Sequence, residues 1–108
     1  MTAARAAPLL APFPYFGGKR DIAAGVWARF GRPKQYLEPF CGSLAILLAA
    51  PEPASLEVVG DFNGFIANFW RAVVHQPDAV ATAADFPVLH IDLGARHGWL
   101  LAQRERLA

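Results

Sequence analysis

Apolar positions recur at helical spacing near the start of the chain. Ile22, Val26, Trp27 and Phe30 fall on one face of a helix predicted from Asp21 to Phe30. Gly31 and Pro33 supply its stop. The pattern then shortens. Tyr36-Leu37-Glu38 predicts a short strand, and Pro39 to Gly42 a turn. Ser43 is placed to cap a helix over Leu44 to Ala50, which Pro51 and Pro53 end. That helix is apolar all round, so it is expected to be buried. Leu56 to Val59 is a near-continuous apolar run, the pattern of a strand buried on both faces. A loop over Gly60 to Gly64 leads into a helix from Phe65 to His75, with Phe65, Ile66, Phe69, Trp70 and Val73 on one side. Pro77 terminates it. Beyond lie a short helix over Asp78 to Ala84, a connection or short strand over Phe86 to Ile91, and a helix over Asp92 to Leu107 that Gly94 and Gly98 weaken.

Helix, strand, helix, strand, helix is the order of an α/β unit with a parallel strand pair. Two strands make a poor sheet, so the isolated chain is expected to be only marginally stable. Composition refines this picture. With 55% hydrophobic residues in 108, the chain can build one small core and still expose a face that wants a partner or more chain. Charged residues at 18% argue against disorder. A net charge of +1 is too small for a stand-alone nucleic-acid binder. The single cysteine, Cys41, excludes an internal disulfide and makes a reducing, cytoplasmic setting the expectation. Pro8, Pro12 and Pro14 break the apolar run after Arg5, which argues against a secretory signal. No stretch approaches the length of a membrane span, so no membrane partner is expected.

Candidate chemistry gathers at the first strand. Glu38-Pro39-Phe40-Cys41-Gly42-Ser43 forms a strand-to-helix turn, and its glycine lets the backbone approach a ligand. The helix that follows points amide N–H groups toward the same place. Asp61 follows the turn by roughly 20 residues, the spacing at which an acid meets ribose hydroxyls in nucleotide-binding units. An ordinary turn and a helix-capping acid account for the same residues without a ligand. Gly17-Gly18-Lys19 is not a phosphate loop, because the glycine loop is short and Arg20 follows the lysine. It is a surface turn with a solvated lysine, or a cation that reaches a carboxylate on a cofactor. Cys41 has no histidine nearby in sequence to activate it. His75, His90 and His97 lack metal-ligand spacing, so no metal is expected. Arg96, Arg104 and Arg106 form a solvated face or meet phosphates. Trp27, Trp70 and Trp99 read as core residues.

Taken together the blocks resemble a known family. Pro14-Tyr15-Phe16-Gly17-Gly18-Lys19, then Glu38-Pro39-Phe40-Cys41-Gly42-Ser43, then Gly60-Asp61-Phe62-Asn63 with Asn68-Phe69-Trp70-Arg71 resembles the Dam-like, D12-class DNA adenine methyltransferases. The order and spacing of the blocks are far more specific than any one of them. The resemblance implies a partial Rossmann-like fold that binds S-adenosylmethionine. It implies methyl transfer to the amino group of adenine in DNA, with DNA as partner of the full-length enzyme. By motif it implies cofactor contacts at Tyr15, Gly17, Gly18, Lys19, Glu38, Phe40, Gly42 and Asp61. Lys19 would lie near the methionine end and Asp61 on the ribose. Residues 1–12 would be a flexible Ala/Pro-rich tail and residues 13–85 the cofactor-binding subdomain. Residues 86–108 would begin the connection to a target-recognition and catalytic region.

Two departures accompany the resemblance. Leu44 stands where the family often has a further glycine, and a leucine there narrows the turn. The family's Asp/Asn-Pro-Pro-Tyr/Phe motif, which holds the flipped-out adenine, has no counterpart, since no two prolines are consecutive. No catalytic residue is therefore assigned, and the chain reads as an N-terminal piece that does not catalyse alone. An inactive truncated remnant, at most a cofactor-binding or interaction module, is the alternative. A nucleotide-binding oxidoreductase unit explains Gly42 and Asp61 but leaves Gly17-Gly18-Lys19 and Asn68-Phe69-Trp70-Arg71 unexplained.

Overall fold

The computed structural model describes residues 9–15 and 18–107. The expected tail over residues 1–12 falls mostly outside them. The described residues divide into two compact units, one ending at Asp61 and the other beginning at Phe62.

In the first unit a single 3-10 turn, Arg20–Ile22, leads into α1, Ala23–Phe30. Gly31 stops the helix as expected: it turns to φ +66° while its N–H still donates to Trp27 O. The core face differs from the one the spacing suggested. Ala23 and Trp27 are buried, whereas Ile22 and Phe30 are exposed. The tighter 3-10 start rotates Ile22 off the α-helical stripe. Trp27 makes up for the narrower face. Its ring stacks on Tyr36 at 5.3 Å and meets Phe30 edge-on at 5.9 Å, and its Nε1–H donates to Ile46 O at 2.7 Å.

Strands β1, Gln35–Glu38, and β2, Leu56–Val59, form a two-stranded parallel sheet with Tyr36 opposite Glu57 and Glu38 opposite Val59. This is the mixed α/β architecture with parallel strands expected from the sequence. The alternation in β1 buries Tyr36 and Glu38 and exposes Leu37. Strand β2 departs from expectation. Its apolar run is not buried on both faces, and Leu56 and Val58 are exposed. Among the described residues of its own unit, only β1 lies close to it.

Helix α2 is shorter than the apolar run, covering Ala45–Leu48, with 3-10 bonds closing over Ala49 and Ala50. It is largely buried, as its all-round apolar character requires: Leu44, Ile46, Leu47 and Ala50 are in the core. Ser43 is not its cap. Leu44 occupies that position in a left-handed conformation, φ 59° and ψ 30°, with no side-chain cap. A non-glycine residue held there costs roughly 1–2 kcal/mol, which burial of the leucine side chain offsets.

The second unit is helical. Helix α3, Gly64–His75, is capped by Asn63, whose Oδ1 accepts from Phe65 N at 3.0 Å. Phe65, Ile66, Phe69, Trp70 and Val73 are its less exposed side, as the spacing suggested. Pro77 opens α4, Pro77–Ala84, at the first helical position. Residues 85–89 are a connection without a strand. Helices α5, His90–Ala102, and α6, Arg104–Leu107, complete the unit. Trp99 is not a core residue: it is half exposed, with the Arg106 guanidinium 6.0 Å from its ring. The three histidines are exposed, His75 at the end of α3, His90 at the start of α5 and His97 in the middle of α5.

Among the described residues no helix is long and apolar enough to cross a membrane, and no group of His, Cys, Asp or Glu is placed to hold a metal ion.

Candidate functional site

The parallel ladder does not stop at the strand ends. Gly60 N–H donates to Glu38 O at 2.9 Å, and Cys41 N–H donates to Gly60 O at 2.9 Å. These two bonds carry the turn after β1 alongside the residue that precedes Asp61. Asp61 Oδ2 then accepts from Gly42 N–H at 2.9 Å. Two segments 19 residues apart in sequence are thus joined at one point. Gly42 has φ +50°, in the left-handed region, and a Cβ built there would lie 2.7 Å from Tyr15 Cδ1 and 2.8 Å from Cε1. Only glycine lets the Tyr15 ring lie against the turn.

A cavity of about 270 Å³ opens at this point, lined by Tyr15, Gly18, Lys19, Glu38, Phe40, Cys41, Gly42, Ser43, Ala45 and Asp61. Seven of the eight sequence-predicted site residues line it together. The eighth, Gly17, lies outside the described residues. Gly18 closes the approach turn through its N–H to Tyr15 O at 2.9 Å. Leu44, expected to narrow the turn, is not among the lining residues. Its left-handed backbone carries the side chain into the core instead.

The electrostatics centre on Glu38, which is 7% exposed. Its Oε1 accepts from Lys19 Nζ at 3.1 Å and its Oε2 from the Tyr36 hydroxyl at 2.6 Å. Lys19 Nζ also donates to Phe40 O at 2.5 Å. A carboxylate this buried is tolerated because both oxygens are satisfied. Sequence reasoning missed Tyr36, treating it only as a strand residue. Its place two residues before Glu38, on the same face of β1, is the signal that could have found it.

Burial raises the Tyr36 phenol above its ordinary pKa, and the hydrogen bond to Glu38 and the charge of Glu38 push it further the same way. Burial also raises the Cys41 thiol, helped by the charges of Asp61 and Glu38. The buried thiol therefore stays protonated, which suits a wall residue better than a nucleophile. For Tyr36 the sign is definite. The folded chain holds the phenolic proton more tightly than the unfolded chain. Its contribution to stability is complete below the ordinary tyrosine value of about 10 and is lost as pH rises beyond it. Denaturant midpoints measured from about pH 8 to about pH 11 are expected to fall more steeply for the wild type than for Tyr36→Phe. Parallel curves would show that the phenol does not titrate with unfolding.

The donor set suits a ligand carrying hydroxyls and an anion. Asp61 offers a carboxylate beside a backbone turn without a Cβ, and Lys19 offers an ammonium with two of its three protons engaged among the described residues. Tyr15 and Phe40 offer aromatic walls. Comparison with known proteins bears on the same stretch. Residues 15–88 match the family model of the D12 class N6 adenine-specific DNA methyltransferases. No curated protein and no solved structure matches the chain. The match takes in both strands and every described residue of the cavity wall, over well more than half of the sequence. The chain therefore belongs to the D12 class N6 adenine-specific DNA methyltransferase family.

Proposed function

We propose that this chain holds S-adenosylmethionine for methyl transfer to the amino group of adenine in DNA. Residues 13–85 are the cofactor-binding part, built on one piece of a Rossmann-like sheet. Residues 86–108 begin the connection toward the region that recognises the target. The observation that carries this reading is the hydrogen bond from Gly42 N–H to Asp61 Oδ2, which ties the glycine turn and the acid to one cavity.

When bound, S-adenosylmethionine supplies a methyl group made electrophilic by its sulfonium. The residues of this chain bind and orient. Asp61 accepts from the ribose hydroxyls. Gly42 lets the cofactor approach the backbone, and Tyr15 and Phe40 flank it. The ammonium of Lys19 meets the carboxylate of the methionine end, and Gly18, bonded to Tyr15 O, precedes it at the cavity wall. Glu38 supports Lys19 from behind. The Asp/Asn-Pro-Pro-Tyr/Phe motif that orients an adenine amino group has no counterpart in the sequence, so transfer requires residues that these 108 do not include. DNA is the partner of that larger assembly, consistent with the small net charge of this chain.

Calorimetric titration with S-adenosylmethionine tests the reading. Asp61→Ala and Lys19→Ala are each expected to weaken binding by about tenfold or more, the weight of a hydrogen bond to a charged group. Equal affinity in the wild type and both variants would remove these residues from the site.

A further inference from the structure

Tyr36 is 6% exposed and is not among the residues lining the cavity. Its hydroxyl nevertheless makes the shortest side-chain contact to Glu38, 2.6 Å to Oε2. The other oxygen of the same carboxylate holds Lys19 Nζ at 3.1 Å, on the cavity wall. A carboxylate with one oxygen pinned has a single orientation left for the other. Lysine is a flexible four-carbon stem that takes its position from its partners, and this one is about one-third exposed. The ring of Tyr36 is itself fixed by stacking on the buried Trp27.

We infer that Tyr36 is a positioning residue of the site: through Glu38 it sets the Lys19 ammonium against the cavity, and so governs affinity for the carboxylate end of an amino-acid-bearing nucleoside. The inference rests on the cofactor reading above and adds to it a residue that never touches the ligand. The phenol stays protonated across the physiological range, because burial and the neighbouring Glu38 oppose its ionisation. The donor is therefore constant rather than switched. Without the hydroxyl, Oε2 of Glu38 loses its partner. The carboxylate then turns or takes the ammonium bidentately, and Nζ is drawn back from the cavity.

Two ligands separate this role from plain support of the fold. S-adenosylhomocysteine carries the amino-acid end, and 5′-methylthioadenosine has the same nucleoside without it. Titration of the full chain with each is the test. Tyr36→Phe keeps the ring on Trp27 and removes only the hydroxyl. It is expected to weaken S-adenosylhomocysteine about tenfold and leave 5′-methylthioadenosine unchanged. Glu38→Gln keeps an acceptor for Tyr36 but removes the ion pair, and is expected to show the same selective loss. Equal weakening of both ligands in the two variants, or no weakening of either, overturns the inference while leaving the cofactor site standing. A wild-type chain that binds neither ligand overturns the cofactor reading and the inference with it.

Discussion

Replacing Gly42 by alanine is expected to displace the Tyr15 ring and to weaken S-adenosylmethionine binding by about 30-fold, some 2 kcal/mol. Two effects combine. The residue sits at φ +50°, so any side chain is strained there by roughly 1–2 kcal/mol. The new Cβ would also meet two ring carbons of Tyr15 at under 3 Å. Tyr15 is on the surface of the unit, 37% exposed, so the ring can swing outward rather than unfold the turn. It then leaves the cavity wall it helps to form. A double-mutant cycle separates the terms. In a Tyr15→Ala background, Gly42→Ala should retain the backbone penalty and lose the steric one. Its further effect on affinity should therefore be smaller than in the wild-type background, reduced by the steric part. If the two substitutions instead add in full, the ring is not the obstacle and the close approach at Gly42 serves another purpose.

The same turn shows how far local pattern reaches. Strand, turn, helix and strand were legible because apolar runs, prolines and glycines mark them directly. The glycine turn and Asp61 could be paired in advance because parallel strands put the end of β1 beside the end of β2, whereas Tyr15, Lys19 and the other predicted lining residues came from the family resemblance alone. The details of the turn were not legible. Ser43 has the chemistry of a cap, but Leu44 takes the position, because the core recruits its side chain and tolerates a left-handed backbone in return. Tyr36 was read only as a strand residue, and Glu38 as a cofactor contact rather than as the partner of Lys19 and Tyr36. The hydrogen bond between Tyr36 and Glu38 follows from two-residue spacing on one face of β1, but the third member, Lys19, lies 19 residues from Glu38, and that separation conceals the group. The apolar run of β2 suggested burial that two strands alone do not provide, and Leu56 and Val58 remain exposed. Hydrophobic pattern reports what a strand is suited to bury against, and among the described helices and strands of this unit only β1 lies beside β2.

Trp27→Ala is expected to cost the most stability of any single change in the first unit, about 3–5 kcal/mol. The residue joins three elements: it lies on α1, stacks on Tyr36 of β1 and donates to the Ile46 carbonyl of α2. A unit this small has a modest reserve, since domains typically hold about 5–15 kcal/mol and small ones lie at the lower end. The variant should therefore lose the cooperative unfolding transition in a denaturant titration. Trp27→Phe discriminates between packing and the hydrogen bond. Ile46 O also accepts from Ala49 N–H at 3.1 Å, so it is not left bare when the indole is removed. The cost of the phenylalanine variant should be closer to about 1 kcal/mol plus the smaller ring's lost contacts. Because a phenylalanine still backs the Tyr36 ring, that variant should keep the selective grip on S-adenosylhomocysteine while melting earlier. The alanine variant should lose both together. Loss of ligand selectivity in Trp27→Phe with an unchanged denaturant midpoint would place the indole N–H, rather than the ring stack, in control of Tyr36.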